Sequence, residues 1–499
     1  MRIASCETMK DIDNYCINNL GIKGVILMEN AALKVIKNVS LDKNSFTIVC
    51  AKGNNGGDGF AVARHLYILG KKIEVFFIGS DENMSDDCKI NYKILKNLNI
   101  KVNRVKNIED LSIMKDSIEN SEVTIDAIFG TGLKRDVRGI YDSTISIINE
   151  NSRYTLSIDV PSGMDSDTGK VRGNCIKAKK TVTFQLYKKG FLNYDIDDYI
   201  GDIIIEDIGI PNEVVDKFCN NESIIDEYII KNKIKKRDKY AHKGDYGRAL
   251  IFAGSSGFAG AAYISTQSTV KSGAGLVTLC CSEDVKNILS TKLTEAMTIN
   301  INEKERLNNL VSKSNCIAIG PGMGNNKKTE EIFLEVIKKC DCPMVIDADA
   351  INVLKDNLSI TNYAKDKLIL TPHFGEFSRL SGYTIKEIRE NRLSISKDFA
   401  QKYGVILVLK GYNTIITDGE TLFVNPTGNS SMASGGMGDC LTGIITSFIA
   451  QGYEPLEAAY LASYIHGYCG DKLSKDMFCV DATSILNYIP YVLKEFENV

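Results

Sequence analysis

Three segments in the first half of this 499-residue chain place glycine beside acidic or amide side chains, each directly after a strand-like run. They are residues 54–59, 126–132 and 159–165. Glycine lets a backbone approach a phosphate closely, and the N-terminus of a following helix presents free N–H groups to an anion. Because ligands of open parallel sheets lie beyond the carboxyl ends of the strands, the three segments predict one shared crevice. Taken singly, the first also fits a plain tight turn, and a lone aspartate often caps a helix.

The second half contains four comparable segments, at residues 254–262, 320–324, 410–414 and 434–439. The last is the most informative, because five apolar residues follow it at helical spacing: Leu441, Ile444, Ile445, Phe448 and Ile449. Its glycines therefore lie at a helix N-terminus, whose N–H groups can stabilise charge on a transferring phosphoryl group. Asp439 is placed there to take a proton from an attacking hydroxyl. The alternative interpretation of Asp439 is a helix-capping aspartate.

Runs rich in β-branched residues alternate with helical patterns along the chain, which predicts α/β domains with parallel sheets buried on both faces. In the first half the predicted strands are residues 46–51, 73–78, 123–129, 154–160, 181–184 and 203–206. In the second half they are residues 249–253, 276–280, 316–319, 344–346, 368–370, 405–409, 414–417 and 422–424. The last two, joined by Asp-Gly-Glu-Thr, form a predicted hairpin.

The length predicts at least two cores, because a single core rarely exceeds about 300 residues. The strand pattern stops in a polar stretch, and we place a linker at residues 214–229 between domains 1–213 and 230–499. A basic cluster follows at residues 233–237. Such a run fits a solvated face better than a phosphate site.

The charge and the cysteine pattern exclude several classes of protein. A net charge of −3 and an isoelectric point near 6.0 argue against nucleic acid or an anionic membrane as the main partner. No stretch approaches the roughly 18 apolar residues of a membrane span, and the N-terminus lacks the apolar core of a signal peptide. The 14 cysteines lie mostly in apolar runs without paired CxxC motifs, which favours buried, reduced thiols over a zinc site. We expect a cytoplasmic protein.

Four motifs, in order, resemble the NAD(P)H-hydrate epimerase domain over roughly residues 1–213. They are Leu-Met-Glu-Asn-Ala at 27–31, Asn-Asn-Gly-Gly-Asp-Gly at 54–59, Asp-Ala-Ile-Phe-Gly-Thr-Gly-Leu at 126–133 and Asp-Val-Pro-Ser-Gly-Met-Asp at 159–165. The resemblance implies a Rossmann-like, three-layer αβα domain that binds hydrated NAD(P)H and a potassium ion. One departure is Ala51, where the family has glycine. Since alanine can finish a strand, we expect binding to persist.

Carried over motif by motif, this resemblance assigns site residues to the first domain. Asp159 would contact the hydrated nicotinamide and Lys188 matches a lysine position of the family, so both are candidate catalytic residues. The potassium ligands would be Asn55, Asp126 and Ser162, whose hard oxygens suit such a cation. The nucleotide would be lined, together with Asp159, by Asn54, Asn55, Gly56, Gly57, Asp58, Gly130, Thr131, Gly132, Leu133, Lys134, Arg135 and Asp136.

From about residue 230 onward the sequence is similar to the ribokinase-type fold, specifically to its ADP/ATP-dependent NAD(P)H-hydrate dehydratase branch. The similarity lies in residues 242–247, 273–277, 320–324, 347–350, 371–377 and 425–443. It implies a C-terminal ribokinase-like α/β domain that contacts the hydrated cofactor through Ala261, Gly322, His373 and the catalytic Asp439. It also implies ADP binding by two loops, at 410–414 and 429–438, through Lys410, Gly411, Tyr412, Asn413, Thr414 and Gly438.

Two further residues of this domain carry expectations. Glu376 matches the glutamate that places magnesium and phosphate in ribokinase-type kinases, directly or through water. A lone histidine is often structural, but His373 directly follows a strand and Thr-Pro, which favours a ligand-contacting role.

Together the two resemblances imply a repair enzyme for NAD(P)H hydrates, which carry water added across the nicotinamide C5=C6 bond. The first domain would interconvert the R and S epimers at C6, with potassium. The second would dehydrate the S form with magnesium and with ADP, which the fused layout favours over ATP. The expected partners are these small molecules and further copies of the chain. The alternatives are a ribokinase-type small-molecule kinase fused to a non-catalytic NAD(P)-binding domain, and an NAD(P) sensor without turnover.

Overall fold

The computed structural model describes residues 1–40, 42–80, 82–219, 221–364 and 366–497. Two compact units divide the chain, Met1–Glu222 and Ser223–Val499. The division falls inside the segment predicted as a linker, residues 214–229. That segment contains parts of two helices and a short strand rather than an extended connection, and its Asn220 lies outside the described residues.

The N-terminal unit alternates strands and helices. Its strands are β1 (Ile3–Ala4), β2 (Ser45–Cys50), β3 (Lys72–Ile78), β4 (Val102–Val105), β5 (Val123–Ala127), β6 (Thr155–Ile158), β7 (Lys180–Phe184), β8 (Tyr187–Lys188) and β9 (Asp202–Glu206). Its helices are α1 (Cys6–Asn18), α2 (Gly24–Asn38), α3 (Asn54–Ile68), α4 (Asp86–Asn97), α5 (Ile108–Asn120), α6 (Ile140–Asn151), α7 (Asp197–Ile200) and α8 (Asn212–Phe218), with a 3₁₀ helix at Lys189–Leu192.

Seven of these strands form one parallel sheet in the order β4-β3-β2-β5-β6-β7-β9. Read from β2 outward, this is the doubly wound order in which successive crossovers first run one way and then reverse. The reversal lies between β2 and β5, where Phe46 pairs with Val123 and Cys50 with Ala127. Strands β1 and β8 form a separate parallel pair, which joins Ala4 to Lys188.

Alternate residues of the central strands face opposite helix layers. Phe46, Ile48 and Cys50 pack in a core with α1 to α4, whereas Val49 and Ala51 pack in a core with α5 and α6. A strand buried on both faces must be apolar at successive positions, which is why these strands were recognisable as continuous runs. The three-layer αβα arrangement predicted for this half of the chain is confirmed.

The C-terminal unit repeats the alternation. Its strands are β10 (Glu222–Ile224, which begins at the last residue of the first unit), β11 (Arg248–Phe252), β12 (Leu276–Cys281), β13 (Met297–Asn300), β14 (Cys316–Ile319), β15 (Met344–Ile346), β16 (Leu368–Leu370), β17 (Ile406–Leu409), β18 (Thr414–Thr417) and β19 (Leu422–Asn425). Its helices are α9 (Glu227–Lys231), α10 (Ala259–Lys271), α11 (Glu283–Leu289), α12 (Lys304–Lys313), α13 (Lys327–Lys339), α14 (Asp349–Lys355), α15 (Phe374–Ser381), α16 (Ile385–Tyr403), α17 (Met437–Ala450), α18 (Pro455–Leu473) and α19 (Ala482–Phe496). Two 3₁₀ helices lie at Leu358–Ala364 and Ser430–Met432.

The ten strands form one sheet in the order β10-β19-β18-β17-β16-β15-β14-β11-β12-β13. The stretch from β13 to β17 is parallel, and β17, β18 and β19 are antiparallel neighbours, which confirms the predicted hairpin. Here the crossover direction reverses between β11 and β14. Helices α10, α17, α18 and α19 pack on one face of this sheet in a single core.

Other expectations are resolved by the fold. All 14 cysteines are free, and most are buried, as predicted. Within the described ranges, no helix combines the length and apolar character that crossing a membrane requires. The strand predictions overran β5 and β6, which end at Ala127 and Ile158 because the chain there turns into the loops discussed below.

Candidate active sites

The first site lies where the crossovers of the N-terminal sheet reverse. Strands β2 and β5 are neighbours, and their carboxyl ends lead directly into residues 51–58 and 128–136. In doubly wound sheets, loops diverge at such a point and leave a crevice for a ligand. The three segments that the sequence singled out follow neighbouring parallel strands, β2, β5 and β6, and so lie at one edge of the sheet, while the ligand crevice between them stays a prediction.

Residues 54–59 differ from the expectation of a loop, because helix α3 begins at Asn54. The glycines allow this early start. A Cβ on Gly56 would lie 1.7 Å from the Ala51 carbonyl oxygen, and one on Gly59 would lie 2.5 Å from the Cβ of Ala127. The helix is thus pressed against the strand ends. Its N-cap, Gly53, supplies no side-chain cap, so the first N–H groups of α3 remain available to an anion.

Asp126 and Ser162 form a hydrogen-bonded cluster at the end of β5. Asp126 is fully buried, and its Oδ1 accepts from the Ser162 hydroxyl at 2.5 Å and from the Ile128 N–H at 3.3 Å. Its Oδ2 accepts from the Ser157 hydroxyl at 2.8 Å and from the Ser162 N–H at 2.9 Å. Burial raises the pKa of Asp126, although these hydrogen bonds act in the opposite direction.

The buried side chain of Asn55, in contrast to that of Asp126, has unsatisfied polar atoms. Its side chain is 8% exposed, and neither its Oδ1 nor its Nδ2 has a hydrogen-bond partner among the described residues. A Cβ on Gly130 would lie 3.4 Å from the Asn55 Cβ and 3.6 Å from Asp159 Oδ2. An unpaired buried amide costs roughly 1–3 kcal/mol unless something binds it. Asn55 is therefore a natural place for a ligand atom or an ion.

Asp159 and Lys188 form an ion pair, with Lys188 Nζ 3.1 Å from Asp159 Oδ1. Asp159 has a φ of 66°, a left-handed conformation that aspartate tolerates better than most residues. Lys188 is 1% exposed, and its ammonium also donates to the carbonyls of Phe184 at 2.9 Å and Leu186 at 3.1 Å. All three N–H groups of the ammonium are therefore used inside the protein.

Two further carboxyl groups face this pair. Burial, followed by repulsion from Asp159 and Asp13, raises the pKa of Asp58 well above its usual value. Burial and repulsion from Asp159 likewise raise the pKa of Asp13 to about 6, while Lys188 acts in the opposite direction. Asp13, on helix α1, was not among the residues predicted from the sequence.

The rest of the predicted nucleotide-lining loop is mostly exposed. Lys134 pairs with Asp167 at 2.7 Å, and the Thr131 carbonyl accepts from the Ser166 hydroxyl at 3.1 Å. Gly132, Arg135 and Asp136 are exposed, whereas Leu133 is buried. The loop thus offers backbone and charged side chains at the rim of the crevice.

The second site lies at the corresponding reversal of the C-terminal sheet, between β11 and β14. The Gly254 N–H donates to the Pro321 carbonyl at 2.8 Å, and the Ser255 hydroxyl donates to the Gly322 carbonyl at 2.8 Å. A Cβ on Gly322, which has a φ of 62°, would lie 3.0 Å from the Cβ of Ala261. Ala261 and Gly322, both predicted to contact the hydrated cofactor, are therefore neighbours.

A buried ion pair joins β15 and β17 at the N-terminus of α17. Lys410 Nζ lies 2.8 Å from Asp347 Oδ1, and Asp347 Oδ2 accepts from the Thr442 hydroxyl at 2.8 Å. Burial opposes ionisation of Asp347, but Lys410 and the hydrogen bonds outweigh it and lower the pKa of this carboxyl. A Cβ on Gly438 would lie 3.0 Å from Lys410 Nζ, so glycine lets the ammonium reach the helix terminus.

Asp439 stands beside this pair on the first turn of α17. The N-cap of the helix is Gly436, with a φ of 89°, and no side chain caps it, so the capping interpretation of Asp439 is wrong. Burial, followed by repulsion from Asp347, raises the pKa of Asp439 to about 6, while Lys410 acts in the opposite direction. A carboxyl group with that pKa can exchange protons near neutral pH.

His373 and Glu376 cap helix α15 reciprocally. His373 Nδ1 accepts from the N–H groups of Gly375 at 3.0 Å and Glu376 at 3.3 Å, and Glu376 Oε2 accepts from the His373 N–H at 2.8 Å. The His373 side chain is still 57% exposed, and its Nε2 lies 3.5 Å from Glu376 Oε1. Glu376 is buried and acts electrostatically on Lys410. The Lys410 N–H donates to the Pro372 carbonyl at 2.9 Å, which ties these segments together.

Two loops complete the second site. In residues 411–414, the Thr414 hydroxyl donates to the Gly411 carbonyl at 2.9 Å, Asn413 has a φ of 53°, and Tyr412 is exposed. The loop before α17 is anchored by Asp471, which accepts from the Gly428 N–H at 2.9 Å and from Asn429 Nδ2 at 2.7 Å.

Sequence reasoning missed Asp13, Asp347 and Asp349 as site residues. Asp349 Oδ2 accepts from the Gly324 N–H at 2.7 Å and so fixes the 320–324 loop, and Ala348 between the two acids has a φ of 49°. Strained backbone of this kind costs about 1–3 kcal/mol and concentrates at functional sites. The Asp-Ala-Asp spacing after a strand was the available signal for the last two. Asp13 offered none, because it lies in an ordinary amphipathic helix.

Comparisons with known proteins now decide the family. Residues 249–491 match the family described as NAD(P)H-hydrate dehydratase, and residues 24–190 match the YjeF-related protein N-terminus. A bifunctional NAD(P)H-hydrate repair enzyme of Moorella thermoacetica is 35% identical, over 100% of this chain and 98% of the relative. One from Dictyoglomus turgidum is 32% identical, over 99% of both chains. The chain belongs to the bifunctional NAD(P)H-hydrate repair enzyme family.

Solved structures resemble the dehydratase half of this repair-enzyme chain. A ribokinase-like superfamily protein from Enterococcus faecalis is 30% identical, with a TM-score of 0.53, and covers 56% of this chain and 98% of its own. A protein of Streptococcus mutans is 33% identical, with a TM-score of 0.51, and covers 55% of this chain and all of its own. The ribokinase-like fold predicted for the second domain is confirmed.

Proposed function

We propose that this repair enzyme epimerises R and S NAD(P)H hydrates at C6 in its N-terminal unit and dehydrates the S form in its C-terminal unit, coupled to conversion of ADP to AMP and phosphate. The observation that carries the proposal is the placement of Asp439. It lies in the first turn of α17, beside Lys410, and has a pKa of about 6. No side chain caps the N-terminus of this helix. That is the arrangement phosphoryl transfer to a hydroxyl requires.

The dehydration is a transfer followed by an elimination. Asp439 takes the proton of the C6 hydroxyl, whose oxygen attacks the β-phosphorus of ADP and releases AMP. Lys410 and the N–H groups of α17 stabilise the negative charge of the transferring phosphoryl group. Phosphate is a better leaving group than hydroxide, so it departs from C6 while C5 loses a proton, and the C5=C6 bond of NAD(P)H is restored.

The ligand-contacting residues follow from the same geometry. The neighbouring Ala261 and Gly322 and the exposed ring of His373 would contact the hydrated cofactor, and residues 410–414 with Gly438 would hold ADP. Magnesium would supply charge neutralisation on the phosphates. Glu376 is buried and already caps α15, which fits a role through a bridging water better than direct ligation.

The N-terminal residues fit a potassium ion. Asn55 offers an unpaired buried amide oxygen, and the Ser162 hydroxyl oxygen retains a lone pair beside Asp126. All four acceptor positions of Asp126 are occupied by hydrogen bonds. Asp126 would therefore orient the Ser162 side chain and supply negative charge close to the ion. Potassium there would neutralise the charge of the crevice and of the bound phosphates. Residues 54–58 and 130–136 would line the nucleotide, with Asp159 at the nicotinamide.

The test supplies both epimers of NADHX with the purified chain, magnesium and either ADP or ATP. We expect full recovery of reduced-nicotinamide absorbance, faster with ADP. A stable phosphorylated product without that absorbance would instead indicate a small-molecule kinase, and no change with either nucleotide would contradict the dehydratase proposal. Light scattering of the same sample tests the predicted homo-oligomer.

Potassium is tested separately in the absence of nucleotide. Replacing potassium by tetramethylammonium should slow epimerisation by the wild type, because tetramethylammonium is too large for the potassium site. Asp126→Ala should abolish both the potassium dependence and most of the epimerisation. Unchanged potassium affinity in this variant would show that the ion binds elsewhere.

A further inference from the structure

Helix α1 carries an acidic residue on its buried face. Met9, Ile12 and Cys16 of this helix are buried, and Asp13 lies four residues after the first and three before the last. Residues three and four apart share one helix face, so Asp13 lies with them on the side that packs against the domain. Asp11 of the same helix is exposed. An acid on such a face needs a physical explanation.

The surroundings of Asp13 supply one. Strand β1, which leads into α1, pairs with β8 so that Ala4 lies beside Lys188, and the Cys6 N–H at the helix start donates to Asp167 at 2.6 Å. These contacts anchor the start of α1 next to Lys188 and Asp167. The charges that act on Asp13 are Asp159 and Lys188, and Asp13 in turn acts on Asp58 from α3 and on Cys16 from its own helix.

Epimerisation needs an acid and a base, and Lys188 cannot be the acid. Its ammonium donates to Asp159, Phe184 and Leu186 and is almost fully buried. With all three N–H groups engaged inside the protein, the Lys188 ammonium has none to offer to the substrate hydroxyl, so the proton donor must be another group.

We propose that Asp13 is that donor and a second catalytic residue of the epimerase, an inference that rests on the proposed function. Its carboxyl group gives a proton to the C6 hydroxyl, which leaves as water while the lone pair of the ring nitrogen forms a planar C6=N1 iminium. Water then adds to the opposite face of C6 and loses its proton to the Asp159 carboxylate. The proton gained by Asp159 returns to Asp13 through water, so the cycle closes without net consumption of protons.

Asp13 suits this role better than Asp58. Three carboxyl groups share one fully engaged ammonium, so they cannot all be ionised, and those with raised pKa values hold the protons. Asp13 has a pKa near 6 and is only partly buried, so it can release and regain a proton close to neutral pH. Asp58 is buried in the first turns of α3, where burial raises its pKa well above the usual value, and it exchanges protons with solvent less readily than the partly exposed Asp13.

The test follows the R and S epimers of NADHX by chromatography without nucleotide, in the full chain. Asp13→Asn should slow epimerisation at least 100-fold, in line with the loss of a general acid. Dehydration of S-NADHX with ADP should stay within twofold of the wild type in the same preparation. Asp11→Asn, the matched exposed change on the same helix, should leave both rates unchanged, and Asp13→Glu should restore part of the epimerisation.

The pH profile separates a catalytic role from a structural one. A group that acts as an acid works only below its pKa, so wild-type epimerisation should fall as pH rises above about 6. That fall should be absent from the residual activity of Asp13→Asn. The inference would be overturned if Asp13→Asn epimerised within twofold of the wild-type rate. It would also be overturned if the fall in rate with rising pH persisted in Asp13→Asn and disappeared in Asp58→Asn. Failure of the wild type to epimerise would instead contradict the proposed function.

Discussion

At the scale of single residues, both sites use an aspartate whose pKa depends on a lysine that is already paired. Lys410 is bound to Asp347 and faces Asp439, and Lys188 is bound to Asp159 and faces Asp13. In each case burial, followed by repulsion from the paired carboxylate, raises the pKa of the second carboxyl group to about 6. Pairs of acids whose environments separate their pKa values are the usual sign of divided acid and base roles.

Asp439→Asn should abolish dehydration and leave epimerisation intact. Loss of a general base costs about 10²–10⁴ in rate. Because a base works only when deprotonated, the wild-type dehydration rate should rise with pH up to about 6 and then level off. Absorbance recovery from S-NADHX with ADP measures this, and the exposed Asp476→Asn serves as the control. Turnover near the wild-type rate would mean that Asp439 does not carry the chemistry.

Asp347→Asn should destabilise the protein, because it leaves the Lys410 ammonium without its buried partner. Breaking such a pair costs about 3–5 kcal/mol. The folded pKa of Asp347 is lowered, so its stabilisation is present above the unfolded value and is lost as pH falls through the folded one. The deficit in melting temperature should therefore be large at pH 7 and shrink in acid. The pair change Asp347→Asn with Lys410→Met should cost less than the sum of the single changes. Additive costs would contradict the coupling.

At the scale of elements, two helix N-termini share the same structural features in the two domains. Helix α3 follows β2, and the N-terminus of α17 lies beside Asp347 and Lys410, which follow strands β15 and β17. A glycine without a side-chain cap precedes each helix. Both helices therefore offer free N–H groups where a phosphate would bind. The two glycines before α17, Gly435 and Gly436, are not interchangeable, because they meet different steric constraints.

Gly436 and its neighbour Gly435 test that distinction. Gly436 has a φ of 89°, and a Cβ there would lie 2.6 Å from Ile264 Cδ1, whereas a Cβ on Gly435 would meet nothing within 4 Å. The left-handed conformation alone costs alanine about 1–2 kcal/mol. Gly436→Ala should lower the melting temperature of the C-terminal unit by several degrees, and Gly435→Ala should leave it within about a degree. Equal melting temperatures for both variants would show that the turn before α17 adapts freely.

The elements that the sequence predicted and those it missed differ in burial. The strands at residues 46–51, 316–319 and 368–370 are buried on both faces, so their apolar runs were visible. Strands β4 (Val-Asn-Arg-Val) and β13 (Met-Thr-Ile-Asn) lie at sheet edges and are partly exposed, so polar residues interrupt their patterns. Residues 54–59 read as a loop because glycine disfavours helices, and only the close approach to Ala51 explains why a helix begins there.

The sequence predicted those candidate site residues that lie in a glycine-containing segment at a strand end or a helix N-terminus. It did not predict the contacts that residues from other elements make with them. Asp159 and Asp439 stood out because glycines and a strand or helix pattern surround them. The Lys188–Asp159 and Lys410–Asp347 pairs depend on crossovers between distant segments, which spacing along the chain does not reveal. Asp13 joins its cluster through the β1–β8 pairing, and that pairing has no sequence pattern of its own.

At the scale of the whole molecule, the two units repeat one architectural solution. Each sheet reverses its crossover direction beside its first central strand, β2 in one unit and β11 in the other, and each site lies at that reversal. The N-terminal unit has the extra helix α1, joined by β1, whereas the C-terminal unit adds a hairpin. Each unit thus carries the candidate residues of its own site, and we expect the two reactions to be linked only by the epimer that passes between them.

That expectation yields a kinetic test of the two halves in one chain. A dehydratase that accepts only the S form should convert an epimer mixture quickly at first and then slow down as R remains. In the wild type the slow phase should be strongly shortened, because the crevice at Asp159 and Lys188 resupplies S. Asp159→Ala with Lys188→Ala removes both members of the ion pair together, so neither member is left buried without the other. The double variant should show two phases, with the rate of the fast phase, set by Asp439 and ADP, unchanged. If the time course of the double variant matched that of the wild type, the N-terminal unit would not be the epimerase or this ion pair would not carry its chemistry. A slower fast phase in the double variant would show that the two units are coupled by more than a shared substrate.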